Sequence, residues 1–267
     1  MIINPYAFGQ SYDPDAQAFF TASGLTGATE LNAINQLVLD LKGYGIWAKM
    51  KAIYPFVGGT AALHKWNLKD PQDTNAAFRL VFNGGWTHSA NGALPNGVNG
   101  YANPFLNPNV SLTLLNTHLS FYSRTSAIGN GKRDIGAFMG PYSTPSFSIG
   151  TNTGVLLSDH YWFTTNRMSR TIPNAQGLML TSRTNDTTHK AYRNGVQLGA
   201  TDTVSNAGNT MPNAPLFIGA ANSDFGAIGF STKEYAFASI GDGLTDTEAA
   251  NFYTAVQAYQ TTLSRQV

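Results

Sequence analysis

The chain is predicted to be mainly β: a two-sheet antiparallel jelly-roll sandwich, preceded by a helical segment and closed by a short helix. Three observations carry this. After Gly59, short alternating apolar runs recur with Gly, Asn and Pro between them, the pattern of many strands joined by turns. Between two such runs lies Asn194-Gly195, the pair that suits a hairpin turn in which both central residues need φ > 0. That turn sets Arg193 opposite Val196, Tyr192 opposite Gln197 and Ala191 opposite Leu198. Before Gly58 and after Gly243 the apolar residues instead recur at helical spacing.

Composition bounds the rest. A chain of 267 residues is one large all-β domain, or one domain plus a small extra. The expected division is an N-terminal arm and helical segment over 1–57, and a sandwich with its C-terminal helix over 58–267. With no Cys there is no disulfide and no thiolate metal site. The opening MIINPYAFGQSYDP lacks a basic stretch followed by an apolar one, so no secretory signal is read there. No apolar run approaches the ~20 residues of a membrane helix, so no membrane insertion is expected. The Asn-x-Ser/Thr matches at Asn109 and Asn185 are read as chance. A net charge of +1 gives nucleic acid nothing to attract. The charged fraction is 12%, against about 25% in ordinary chains. Interface cores are depleted in Lys, Glu and Asp, so much of this surface is expected to be covered by copies of the chain or by other proteins.

Residues 1–12 have no period and read as an arm. Asp13 as N-cap and Pro14 at the first helical position begin a short helix that Gly24 ends. Thr26 or Thr29 caps a second, with Leu31, Ile34, Leu37, Val38 and Leu41 on one stripe. Gly43 and Gly45 interrupt it, and Ile46, Trp47, Met50 and Ile53 resume the spacing, giving a helical hairpin or broken helix over 13–54. Strands are expected at 62–68, 76–82, 111–123, 133–139, 146–150, 160–164, 177–183, 189–193, 216–219 and 235–240, with a long Gly/Asn/Pro-rich loop over 84–109. Thr245 and Glu248 form a capping box for the last helix, whose face carries Phe252, Val256, Tyr259 and Leu263.

The run YRNGVQLG, then LFIGAANS, then AFASIGDGLTDTEAANFYTAVQAYQTTLSRQV resembles the end of a concanavalin A-like (laminin-G-like) lectin/glucanase domain. Tyr192, Asn194, Gly195, Ile218, Gly219, Leu244, Thr245 and Glu248 match that family's hairpin, its strand ending in Ile-Gly, and its helix opening on Leu-Thr-x-x-Glu. The resemblance covers roughly residues 60–267 and is specific for fold. The stretch AINQLVLDLKGYGIWAKMKAIYPFVGGTAALHKWNLKDP, with AAFRLVFNGGWTHSANGALPNGVNGYANPFL after it, is similar to the opening of tailed-phage virion proteins. That resemblance implies a tail, fibre or capsid-surface component. Such a protein is made in the host cytoplasm, located on the virion, and partnered by other virion proteins, by itself, and by a host-surface glycan.

Laminarinase-type members of the lectin/glucanase superfamily carry Glu-x-Asp-x-x-Glu on one strand, where alternation puts the carboxylates on one face. Here the Glu residues are Glu30, Glu234 and Glu248, and two positions on stand Asn32, Ala236 and Ala250. No Gly-x-Ser-x-Gly, His-Glu-x-x-His or Walker A run is present, and Gly129-Asn130-Gly131-Lys132 reads as a plain turn. The expectation is therefore no catalytic residue and no enzyme. The five His, His64, His88, His118, His160 and His189, lack zinc-site spacing. His118 and His160 read as hydrogen-bonded sheet residues. No metal or cofactor is expected. Loop acids Asp134, Asp159, Asp186, Asp202 and Asp224 have the chemistry for rim Ca²⁺, but no spacing selects a set. For a glycan, aromatic faces and planar amides are the binding chemistry. The ligand candidates are Trp86, His88, Asn91, Tyr101, Trp162, Arg183 and Tyr192. Three functions follow: a virion structural protein, a carbohydrate-binding adhesin or module, and a glycan-cleaving enzyme.

Overall fold

The computed structural model describes residues 11–127, 129, 131–139, 144–161 and 167–267; most of the N-terminal arm and Trp162 lie outside them. Helix α1 (Pro14–Ser23) begins as predicted, with the Asp13 carboxylate accepting from Asp15 N and Gly24 closing it in the left-handed region. Helix α2 (Ala28–Gly43) has Gly27 at its N-cap, with no side-chain bond there, so neither Thr26 nor Thr29 caps it. The helix does not resume after Gly45. Trp47–Lys49 is a single 3-10 turn and β1 (Met50–Tyr54) is a strand. Ala52 and Tyr54 face one apolar core and Ile53 the other. A strand buried on both sides is apolar throughout, and its spacing can imitate a helix.

The run 62–68 is likewise not a strand. Thr60 caps the helical turn α3 (Ala61–His64), and Trp66 and Leu68 follow into the core under the helices. β2 (Val81–Asn83) is the tail of the next predicted strand. Half of the expected loop over 84–109 is structured: β3 (Trp86–Ser89), β4 (Gly92–Pro95), β5 (Tyr101–Asn103) and the start of the turn α4 (Pro108–Ser111). Its glycines serve close approach as well as turns. A Cβ on Gly92, at φ 143°, would stand 2.2 Å from the Tyr235 carbonyl oxygen.

Then come β6 (Thr117–Ser123), β7 (Ile135–Phe138), β8 (Ser146–Asn152), β9 (Val155–Tyr161), β10 (Met168–Thr171), β11 (Gly177–Asn185), β12 (Thr188–Arg193) and β13 (Val196–Gln197). β14 (Phe217–Ile218), β15 (Ala221–Ser223), β16 (Gly226–Ile228), β17 (Tyr235–Gly241) and α5 (Asp246–Thr262) complete the chain. The hairpin has the predicted register: Arg193 pairs Val196, Tyr192 pairs Gln197 and Leu198 N donates to Ala191 O, with Asn194 and Gly195 at φ 50° and 75°. The capping box on α5 is present, with the Glu248 carboxylate accepting from Thr245 N at 2.8 Å.

The strands form two sheets. One runs β13-β12-β11-β6-β17-β4-β3, with β1 sharing the β4 edge of β17; the other runs β10-β9-β8-β7-β14-β5-β2, with β15 attached to β7 and β16 to β15. The pairings are antiparallel except β15 on β7, which is parallel. The inner faces close over Leu119, Phe121, Ile135, Phe147, Ile149, Met179 and Ile218. The first sheet is also covered outside. Leu178, Leu180, Tyr192 and Phe237 pack under α2 and α5 through Ile34, Leu37, Phe252 and Val256. The molecule is thus a sandwich with a helical third layer, and β6, β11 and β17 are buried along nearly their whole length. Polar residues on that covered face must pair. His118 Nδ1 donates to Asp242 O at 2.6 Å, and Nε2 accepts from the Ser239 hydroxyl at 2.9 Å. Among the described residues no helix is long and apolar enough to cross a membrane.

Candidate functional site

Two overlapping hollows lie at one rim of the sandwich, where the chain leaves β5 and returns toward β14. One, of about 350 Å³, is lined by Asn109, Thr113, Asn206, Asn209 and Thr210 over Leu112, Leu114 and Met211. A second, of about 420 Å³, adds Asn213, Met139, Pro145 and Asp224 and shares Asn109, Thr210 and Met211 with the first. Together they make one groove whose walls are 107–115 and 204–213.

Local chemistry builds both walls. Asn107 caps α4 by accepting from Asn109 N at 3.1 Å, and its side-chain amide donates to Asn213 Oδ1 at 2.8 Å, tying wall to wall. The Asp186 carboxylate holds the second wall, accepting from Ser205 Oγ at 2.7 Å, Asn206 N at 2.7 Å and Ala207 N at 2.8 Å. The Ser205 hydroxyl, with those backbone donors, keeps the Asp186 carboxyl below the usual aspartate range. Arg183 braces the same corner from beneath, donating through Nη1 to the Asp186 and Val204 carbonyls. Asn206 is 1% exposed and donates to the His160 carbonyl. Its own Oδ1 has no partner among the described residues. A buried amide oxygen without a donor is costly, and this one belongs to a residue lining the groove.

Beneath the rim, between the sheets, the interior is polar. His160 and His189 pack with ring centroids 4.0 Å apart. Ser158 Oγ donates to His189 Nε2 at 3.2 Å, and the Asp202 carboxylate stands 3.6 Å from His189 Nδ1. The order Ser–His–Asp is that of an activated hydroxyl, but Ser158 and His189 are each 1% exposed, so no substrate carbonyl reaches the serine and the relay joins the two sheets. Burial pushes His189 down to about 4, against the pull of Asp202, and pushes His160 well below its ordinary value. The prediction of hydrogen-bonded sheet histidines holds for His118 and fails for the His160 ring, whose nitrogens have no partner among the described residues.

The sequence candidates divide between sites. Trp86, His88 and Tyr101 come together as a packed patch at the β3 end of the sandwich. The Trp86 indole N–H donates to Asn83 O and Tyr101 O at 3.1 and 3.3 Å, its ring stacks on His88, and Tyr101 stacks on Phe217 at 4.4 Å. His88 Nδ1 lies 2.9 Å from His64 Nδ1. Asn91 is exposed in the β3–β4 turn of the same hairpin. Arg183 lies under the groove wall. Tyr192 is on the opposite face of that sheet, donating to Asp246 at 2.6 Å beside a smaller hollow of about 210 Å³. Trp162 is outside the described residues. Sequence reasoning missed Asn206, Asn209, Thr210 and Asn213, whose signal is the amide-rich run Asn206–Asn213 between strands.

Loop acids are engaged within the protein. Asp134 accepts from Tyr235 and Ser231 and pairs with Lys233 at 3.2 Å, and Asp159 takes a bidentate pair from Arg167. Among the described residues, no group of three or more His, Asp or Glu converges as metal ligands.

No protein-family model matches the chain, and no curated protein matches it. Solved structures do resemble it. A Trypanosoma rangeli sialidase mutant displaying trans-sialidase activity superposes with TM-score 0.54 at 13% identity over 86% of this chain and 39% of that one. A T. rangeli sialidase in complex with 2,3-difluorosialic acid gives 0.49 at 13% identity, over 84% and 39%. Domain 4 of a GH43 extracellular arabinanase from Geobacillus stearothermophilus, in complex with arabinotriose, gives 0.41 at 15% identity, over 76% and 98%. The chain spans about 39% of the length of the two T. rangeli sialidase chains. The first match shows a shared fold. The expectation that this chain is not an enzyme does not stand, because the solved structure whose fold it shares is a sialidase chain. The missing Glu-x-Asp-x-x-Glu strand removes one carboxylate arrangement only. Acidic groups brought together from separate strands leave no such motif.

Proposed function

We propose that this chain is a carbohydrate-binding sandwich whose rim groove takes an oligosaccharide. The observation that carries the reading is the groove lining: side-chain amides and hydroxyls over apolar Leu112, Leu114 and Met211, with Asp224 as its one carboxylate among the described residues. Sugars present many hydroxyls and apolar C–H faces. Planar amides donate and accept at once, so the accessible Asn109, Asn209 and Asn213 suit them better than they suit an ion or a purely apolar ligand.

The test is a printed array of neutral and acidic oligosaccharides, arabinotriose and sialyllactose included, followed by calorimetry on what binds. Asn109→Ala and Thr210→Ala, both at exposed positions, should each weaken binding roughly tenfold, about 1.4 kcal/mol, with thermal stability unchanged. Bound oligosaccharides are also followed for new reducing ends, because the fold occurs in sialidase chains. Retention of full affinity by both variants would move the site elsewhere.

A virion setting, with copies of the chain and other virion proteins as partners, is the second part of the reading. It rests on the N-terminal resemblance to tailed-phage proteins and on the charged fraction of 12%; none of the solved structures named above is a virion protein. Mass measurement in solution checks it, an assembly being expected.

A further inference from the structure

Among the described residues the groove has no aromatic ring in its lining, yet the fold holds one beside it. β15 runs parallel to β7 with Ser223 opposite Phe138. Asp224 and Met139 therefore leave the sheet side by side, and both line the second hollow. The next residue, Phe225, forms the tip of the β15–β16 hairpin and is 96% exposed. The turn does not use its ring. Ser223 Oγ accepts from Phe225 N at 3.2 Å and donates to Gly226 O at 2.8 Å, so the turn needs only the backbone of residue 225. The tip is also fixed relative to the groove. Asn222 Nδ2 donates to the Pro215 carbonyl at 2.8 Å, and Asn213, two residues earlier, carries the bond to Asn107 that joins the walls.

An apolar ring so exposed on a braced turn contributes almost no burial to folding and leaves its face free for a ligand. A rigidly presented aromatic gives contact area with little ordering entropy, and its face suits the C–H side of a sugar ring. We propose that Phe225 is the stacking platform of the groove: one sugar ring lies against it while the next residues of the same oligosaccharide are read by Asn109, Thr210 and Asn213. This rests on the carbohydrate reading above. It adds that the ligand exceeds one sugar unit, since Phe225 stands outside the hollow that Asp224 lines.

The experiment compares the unaltered protein, Phe225→Ala and Phe225→Trp on the same oligosaccharide array, with melting temperature and solution mass measured for each. Expected is a tenfold or greater loss for Phe225→Ala on tri- and longer saccharides, little change on monosaccharides, retention by Phe225→Trp, and equal melting temperatures. Equal binding by the unaltered protein and Phe225→Ala overturns the platform and leaves the groove reading standing. No binding by the unaltered protein overturns both. A change in solution mass for Phe225→Ala, with sugar binding intact, overturns it in favour of a contact between copies of the chain.

Discussion

Acid should weaken this fold well before its carboxylates titrate, and His118 should account for a measurable share. His118 is fully buried under α5, with its ring edge toward Phe252 at 6.1 Å. Burial pushes it from 6.5 down to about 4, partly opposed by its bond to the Asp242 carbonyl. In the unfolded chain the imidazole takes a proton near 6.5; in the folded protein it resists until about 4. A folded value below the unfolded one means stability is complete above pH ~6.5 and falls as pH drops toward ~4. With one pH unit worth about 1.4 kcal/mol, the loss from His118 by pH 4.5 is on the order of 2–3 kcal/mol, a large part of a typical 5–15 kcal/mol. Burial moves His189 and His64 the same way, to about 4 and about 3, so their losses add. The assay is urea unfolding at pH 7.5, 6.5, 5.5 and 4.5 for the unaltered protein and His118→Gln, whose amide keeps a donor for Asp242. The variant should be less stable at pH 7.5, and its slope between pH 6 and 5 should be shallower by about one proton, roughly 1.4 kcal/mol per pH unit. Identical slopes, or an NMR titration of His118 centred near 6.5, would refute the reasoning.

Other consequences can be measured alongside. Arg265 is fully buried and donates to the carbonyls of Pro55, Phe56 and Ala236 and to Gln260 Oε1; Pro55 and Ala236 keep Tyr259 and Gln260 as donors, so Arg265→Met strands the Phe56 carbonyl and Gln260 Oε1 at about 1–3 kcal/mol each, urea unfolding should show a loss of roughly 2–6 kcal/mol, and a loss below about 1 kcal/mol would contradict it. Gly92→Ala drives a Cβ into the Tyr235 carbonyl and should cost about 3 kcal/mol or more, visible as a lowered melting temperature. Asp186→Asn removes the carboxylate that gathers Ser205, Asn206 and Ala207; amide exchange at residues 205–207 should speed up while global stability changes little. The same bonds should survive mild acid and fail only below the ordinary aspartate value of 3.8, because the folded carboxyl lies lower still.

What the sequence determined by itself is local. The Asp13-Pro14 start, the Asn194-Gly195 turn with its three cross-strand pairs, and the Thr245/Glu248 box each depend on a few adjacent residues whose backbone preferences are intrinsic, and each stands as read. The sandwich class was legible for the same reason: turn chemistry repeats along the chain. Only the tertiary structure decided the rest. β1 imitates a helix because it is buried on both faces, and β3 to β5 look like a loop because their glycines and asparagines answer to neighbours distant in sequence, as Gly92 answers to Tyr235. The groove has the same origin. Asn107 meets Asn213 and Asp186 gathers Asn206 across long intervals of chain, and no spacing rule registers a contact whose partners are chosen by how two sheets close.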